Sequence, residues 1–212
     1  MEVDLHMHSR HSQDSLTRPE RIVERALLLG LGAIAVTDHN SWEGARAAAR
    51  IARGRLIVIP GAEIKTTRGD LLALFVDEEI DTRDWRSAID EIRTKGGVSI
   101  VPHPADSPKL TREDVALADG VEAFNSTCSP RSNALAASLV QDLGKPGFGS
   151  SDAHMSIEIG NGRTRVDDCA TLAELREHIL KGPKVSRTVQ SNRFVHFLNS
   201  TMCFGLKGIW RL

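Results

Sequence analysis

Several features that mark specialised proteins are scarce in this chain. Its 212 residues include only three cysteines, Cys128, Cys169 and Cys203, whose spacing fits neither a disulfide framework nor a metal finger. That suits a reducing compartment. No charge of one sign dominates, because 27 Lys and Arg face 28 Asp and Glu for a formal net charge of -1. A generally basic nucleic-acid coat is excluded, although a local basic patch is not. No apolar run reaches the roughly 20 residues of a membrane span. The longest apolar stretch, Phe194 to Leu212, is broken by His196, Asn199, Lys207 and Arg211. Acidic and histidine residues close behind Met1 are the opposite of a signal peptide. Internal repeats, low-complexity tracts and linkers are missing too. The expectation is one cytoplasmic domain over 1–212 with no membrane partner. Residues 190–212 would be an apolar tail or helix that packs on the domain or on a second copy of the chain.

What is present is an alternation of short apolar runs and amphipathic stretches. Val3 to His8 reads as a strand, and Pro19 to Leu29 as a helix with Thr17 as its cap, Pro19 in the first turn and Gly30 as its end. Ala33 to Thr37 and Leu56 to Pro60 read as strands around a helix from about Trp42 to Arg53. Asp70 to Val76 pairs back on the segment around Glu63 as a short hairpin. Helix and strand then recur: Trp85 to Lys95 before Val98 to Val101, Glu113 to Ala118 before Val121 to Phe124, and Ser132 to Leu143 before Pro146 to Phe148. A helix from Leu172 to Leu180 precedes a strand from Lys184 to Thr188, and the glycines at 160 and 162 read as loop punctuation. This rhythm predicts an α/β fold of parallel strands and crossover helices, a compact βα-barrel of about seven units. An open doubly wound sheet would need a glycine-rich loop after the first strand, and none follows it.

Six of the eight histidines fall at or just past the end of a predicted strand. His6 and His8 close the first, with Asp14 after them; His39 follows the second, Glu63 the third, His103 ends the run from Val98, and Asp152 and His154 follow the strand ending near Phe148. Such ends share one face in a parallel barrel, so these residues are expected to converge there. On a regular strand His6 and His8 point the same way, and Asp4 shares their side as a possible support for an imidazole. His39 is preferred to Asp38 as a ligand, because neighbouring side chains point oppositely. Nitrogen and oxygen donors without thiolates suit Zn²⁺, Mn²⁺ or Fe²⁺, and the donors exceed the needs of one ion, which predicts two or three. Glu63 is well suited to bridge two of them. Clustered divalent cations activate water and stabilise charge on phosphoryl groups, which points to hydrolysis.

The motifs Asp4-Leu5-His6-Met7-His8 with Ser12 and Asp14, Thr37-Asp38-His39-Asn40, Gly61-Ala62-Glu63, His103-Pro104 and Ser151-Asp152-Ala153-His154 follow one another over residues 1 to about 165. In this order they resemble the polymerase and histidinol phosphatase (PHP) domain family. The resemblance implies a distorted (β/α)7 barrel, a trinuclear metal centre and phosphoester hydrolysis. It implies one ion on His6, His8, Glu63 and Asp152, a second on Glu63 and His103, and a third on Asp14, His39 and His154. Many members complete the second ion with a histidine or cysteine where Asn125 stands here; Asn125 is the preferred substitute, with Cys128 behind it.

The mechanism expected is attack of a metal-bridging hydroxide on phosphorus, in line with the leaving oxygen. His6, His8, Glu63 and His154 are the candidate catalytic residues. Arg131, Lys65, His11 and Arg18 are the candidate phosphate contacts. The expected substrate is a small phosphomonoester. A nucleotide or nucleic-acid end is the alternative within hydrolases, amide hydrolysis is a third use of similar metal chemistry, and a non-catalytic RNA- or protein-binding barrel is the rival from another class. Trp42, Trp85 and Trp210 read as packing residues, and Arg46, Arg50, Arg53 and Arg55 as a solvated face.

Overall fold

The computed structural model describes residues 1–182, 184–192 and 203, so most of the expected tail at 190–212 lies outside the described residues. The strands are β1 (Glu2–Asp4), β2 (Ala33–Ala35), β3 (Ile57–Ile59), β4 (Gly61–Lys65), β5 (Asp70–Leu74), β6 (Val98–Val101), β7 (Gly120–Asn125), β8 (Gly147–Ser150), β9 (Gly162–Arg165) and β10 (Lys184–Thr188). The helices are α1 (Pro19–Leu28), α2 (Glu43–Ala52), α3 (Trp85–Thr94), α4 (Arg112–Leu117), α5 (Pro130–Leu143) and α6 (Leu172–Leu180). Among the described residues no helix is long and apolar enough to cross a membrane.

The α/β class holds. Strand pairing, however, forms two five-stranded sheets, ordered β10-β9-β1-β2-β3 and β4-β5-β6-β7-β8, rather than one ring of seven parallel strands. The runs β1-β2-β3 and β6-β7-β8 are parallel, whereas β5 lies antiparallel to both its neighbours, as the expected hairpin requires. Between the sheets Val3, Leu5, Ala33, Ala35 and Ile59 meet Leu72, Leu74, Ile100 and Phe148, with Leu175 and Ile179 of α6 packed against them. Helices α1 and α2 bury Ile22, Val23, Ala26, Ala45 and Ala48 in a second cluster, while α3 buries Trp85, Ile89 and Ile92 in a third.

Local rules explain most boundaries. Pro19 opens α1 and Gly30, at φ 68, turns the chain after it. Thr17 does not cap α1: Arg18 occupies that position without a side-chain bond, and Thr17 Oγ1 instead donates to the His154 carbonyl at 3.0 Å. Thr171 and Glu174 form a capping box at the start of α6. Gly162 opens strand β9 and is not loop punctuation. Trp42 and Trp85 are buried, as packing residues should be. Two isolated parallel bridges, Met7 with Ala153 and His39 with Glu63, join segments of the two sheets just past β1, β2 and β8. Those bridges close the end of the fold where the histidines gather.

Candidate metal centre

His6 and His8 follow β1, His39 follows β2, Glu63 lies on β4, His103 follows β6, and Asp152 and His154 follow β8. Asp14 enters from the loop between β1 and α1. These eight residues come together, although the two ends of the set stand 148 positions apart in sequence. His6, His8, Glu63, Asp152 and His154 are all buried, whereas Asp14, His39 and His103 are partly open.

The atoms that face one another are donors for a cation. Five separations among His6 Nε2, His8 Nε2, Glu63 Oε2 and Asp152 Oδ1 run from 3.2 to 3.4 Å. His6, His8 and Asp152 form one group of donors within reach of a single cation, and His6, Glu63 and His103 form another. The second oxygen of Glu63 lies 3.2 Å from His103 Nε2. On the other side Asp14 Oδ2 lies 3.0 Å from His39 Nε2 and 3.3 Å from His154 Nε2. His39 Nδ1 is buried without a hydrogen bond even though Glu63 Oε2 is 3.2 Å away. Two donors that close but misaligned suit a shared cation better than a bond to each other.

The rings are also held from behind. His6 Nδ1 lies 3.1 Å from Glu122 Oε1, His8 Nδ1 lies 3.2 Å from Ser12 Oγ, and His154 Nδ1 donates to the Asp152 carbonyl at 2.9 Å. Tying off one nitrogen leaves the other, Nε2, aimed into the cluster, as metal-binding imidazoles are arranged. Positive φ marks five non-glycine residues among those described, and Asn40, His103 and Asp152 are three of them. Such conformations are uncommon and gather where a site over-determines the backbone.

Electrostatics fits the donor set. Burial works against the charged form of His6, but Asp152, Glu63 and Glu122 outweigh it and raise its pKa well above the ordinary value. His103 and His154 are each pushed up to about 9; burial opposes the shift, and hydrogen bonds to Glu63 and to Asp14 respectively overcome it. Despite their burial, Glu63 and Asp152 are held well below the carboxylate range, chiefly by the charge of His6. His8 is lowered by burial and by the charge of His154. Without a cation this cluster therefore stores protons on imidazoles to balance its acids. A divalent cation would replace those protons.

A family model for the PHP domain matches residues 4–127, more than half of the chain, and one described as PHP-associated matches residues 130–183. The chain belongs to the PHP domain family. Two uncharacterized proteins of Methanocaldococcus jannaschii are relatives. One is 34% identical over 175 residues, covering 76% of this chain and 68% of its own length; the other is 32% identical over 145 residues, covering 59% and 82%. A two-domain protein from Bacteroides vulgatus containing a predicted PHP-like metal-dependent phosphoesterase superposes with a TM-score of 0.74 at 21% identity, over 89% of this chain and 65% of that one. PsfC from Pseudomonas syringae gives 0.69 at 18% identity over 97% and 98%. The lesion-specific endonuclease of Pyrococcus furiosus gives 0.62 at 18% identity over 87% and 57%. These likenesses establish a shared fold.

Some expectations about this PHP domain meet a different geometry. Asn125 brings no oxygen to the cluster: its Oδ1 accepts from the Thr127 amide and hydroxyl, and its Nδ2 donates to Glu122 Oε2 at 2.8 Å and Asp152 Oδ2 at 3.1 Å. Cys128 is no better placed, since its thiol donates to Asp106 and burial pushes its pKa up, away from the thiolate a metal needs. Asp4 does not support an imidazole. Regular strand ends at Asp4, the alternation breaks there, and its carboxylate accepts from the Ser151 and Gly160 amides. Arg131, Lys65, His11 and Arg18 are all exposed.

Two residues that sequence reasoning missed belong to the site. Glu122 is buried behind His6; its signal was a lone acid inside the apolar run Val121 to Phe124. Asp70 stands opposite Lys65 across the hairpin, where burial and the Glu63 charge raise its pKa.

Proposed function

We propose that the protein is a metal-dependent phosphoesterase, with a small phosphomonoester as its substrate. The observation that carries this reading is the convergence of eight donor residues in overlapping groups: His6, His8 and Asp152; His6, Glu63 and His103; His8, His39 and Glu63; and His8, Asp14 and His154. Two or three bound Zn²⁺, Mn²⁺ or Fe²⁺ ions would supply a water of lowered pKa and positive charge beside the phosphoryl oxygens.

The chain's own residues do the positioning. Glu122 fixes the His6 ring and, through the His103 amide, the turn that carries the His103 imidazole. Ser12 does the same for His8 and for the backbone of His39. The buried carboxylates Glu63 and Asp152 stay ionised against the imidazoles around them and so offer cations charged oxygen donors. Exposed Arg131, Lys65, His11 and Arg18 are proposed to meet the outer phosphate oxygens, with Arg131 the best suited because a guanidinium grips two oxygens at once. His6, His8, Glu63 and His154 are the proposed catalytic set. Cleavage at a nucleic-acid end is the second reading, favoured by the cations Arg163, Arg165, Lys184 and Arg187 gathered on strands β9 and β10.

A phosphate-release screen tests the assignment: sugar phosphates, phosphoamino acids, nucleotides and short oligonucleotides, each with Mn²⁺ and with Zn²⁺. His8→Ala combined with Glu63→Ala should abolish turnover and metal uptake while the circular dichroism of a folded protein persists. Turnover that survives in this variant overturns the assigned roles. A wild-type protein that takes up no metal yet binds RNA overturns the enzyme reading.

A further inference from the structure

Outside the metal cluster, the antiparallel ribbon β9–β10 collects charge of one sign. Lys184 stands directly opposite Arg165, and Arg187 directly opposite Arg163. Opposed residues share one face of a ribbon, and like charges facing each other there disfavour the pairing. Arg25 of α1 adds to the group: burial and the charges of Arg187 and Arg25 pull Arg163 below the ordinary arginine value, against Glu2 and the buried Asp4. Half-buried Glu2 lies 2.9 Å from Arg165 Nη2 and 3.8 Å from Arg163 Nη1, and Asp168, past the end of β9, pairs with the Met1 amine. Lys184, Arg187 and Arg25 have no carboxylate partner among the described residues, and Arg25 Nε is buried without a hydrogen bond.

This concentration is local, since the whole chain carries a net charge of -1. Arg46 of α2 differs, because it is bridged to both Glu43 and Asp77. The ribbon face is open: Arg165 is 68% exposed, and four of the five residues of β10 are exposed. Its one apolar member, Val185, turns toward Gly149. Residues 193–212 contain no Asp or Glu, so that segment offers the ribbon no countercharge. Past β10 the chain reaches the rim of the metal cluster, where Val189 N–H donates to Asn161 at 2.9 Å and Ser191 N–H donates to Ser126, the neighbour of Asn125, at 2.7 Å.

We propose that the outer face of the β9–β10 ribbon, with Arg25 beside it, is a docking surface for the phosphate backbone of a nucleic-acid strand. Cations on one face of a strand repeat every about 6.7 Å, a row that suits successive phosphates. The ribbon strands themselves expose no large apolar or aromatic side chain, which disfavours a bilayer surface. The surface does not depend on the phosphoesterase reading, because none of its residues belongs to the metal cluster.

Fluorescence anisotropy of a labelled oligothymidylate with the full chain tests it. If four phosphates are neutralised, affinity falls by about 50-fold between about 50 and 200 mM salt, and Arg165→Glu with Arg187→Glu weakens binding by about tenfold or more and halves the salt slope. Turnover of nitrophenyl phosphate and the melting temperature stay at wild-type values. Should the reversal unfold the ribbon, Lys184→Gln with Arg187→Gln replaces it, since neither side chain has an ion pair to lose. Equal binding by wild type and variant, no salt-dependent binding, or binding only to phosphatidylserine vesicles overturns the proposal. The His8→Ala, Glu63→Ala protein separates the two readings: it should lose turnover and keep oligonucleotide binding.

Discussion

Glu122 Oε1 lies 3.1 Å from His6 Nδ1, while Glu122 Oε2 accepts the backbone N–H of His103 at 2.9 Å. One buried carboxylate thus orients the His6 imidazole and holds the backbone that carries His103. Outer partners of this kind are worth about 10–100-fold in metal affinity. Glu122→Gln keeps the shape and loses the charge, so calorimetric titration with Mn²⁺ or Zn²⁺ should show affinity reduced by about that factor with little change in melting temperature. Unaltered affinity would mean that packing alone fixes His6.

Much of the fold and of this site was legible because the apolar runs are short and end in polar punctuation. The histidines sit just past those ends, so their convergence followed from strand direction alone. Position-specific geometry was harder to read. Strand β9 is Gly-Arg-Thr-Arg, and with Thr164 as its single inward side chain it shows no hydrophobic alternation. Alternation along a continued β1 puts Asp4 on the His6 side, but regular pairing stops at Asp4. Glu122 escaped because a single acid in an apolar strand says nothing about what lies behind it. The Asn125 amide oxygen is engaged by Thr127 two residues away, a contact that the sequence does not signal.

Gly162 illustrates how close the backbones run behind the cluster. A Cβ there would overlap the Ser150 carbonyl at the end of β8, immediately before Ser151 and Asp152. Gly162→Ala should cost about 1–3 kcal/mol, the range for overpacking a filled interior. Thermal melting should report that loss, and metal content should fall with it, because the displaced segment carries Asp152. A variant with wild-type stability would show that β8 and β9 have room to part.

The protons stored on the cluster predict how the metal-free protein responds to pH. His103 and His154 are pushed up to about 9 from an ordinary 6.5. A raised imidazole stabilises the fold fully below the unfolded value and loses that contribution as pH climbs through the folded one. With a chelator present, the melting temperature should decline between about pH 6.5 and 9. Asp4, pushed up to about 6 from 3.8 by burial, acts in the same direction over a lower window. Metal uptake requires neutral imidazoles, so titration near neutral pH should release protons, and the loaded protein should show a smaller decline. A flat chelated profile would show that these rings are neutral without metal.

Arg131 lies in the first turn of α5, two residues past Ser129, whose side chain caps that helix by accepting from the Ser132 amide. Asn133, in the same turn, accepts the Asn125 amide N–H at 2.9 Å and donates to its carbonyl at 3.0 Å, so the helix start is fixed to the end of β7 beside the cluster. A rigid base of this kind favours a specific role over that of a solvated charge, since the side chain projects from an anchored turn. Arg131→Ala removes no contact with the donor set and should leave metal affinity unchanged. If the guanidinium grips the substrate's phosphoryl oxygens, the Michaelis constant for phosphate esters rises about tenfold, the scale of one charge-assisted hydrogen bond. A loss confined to kcat would place the residue at the reacting centre, and unchanged kinetics would return it to the surface.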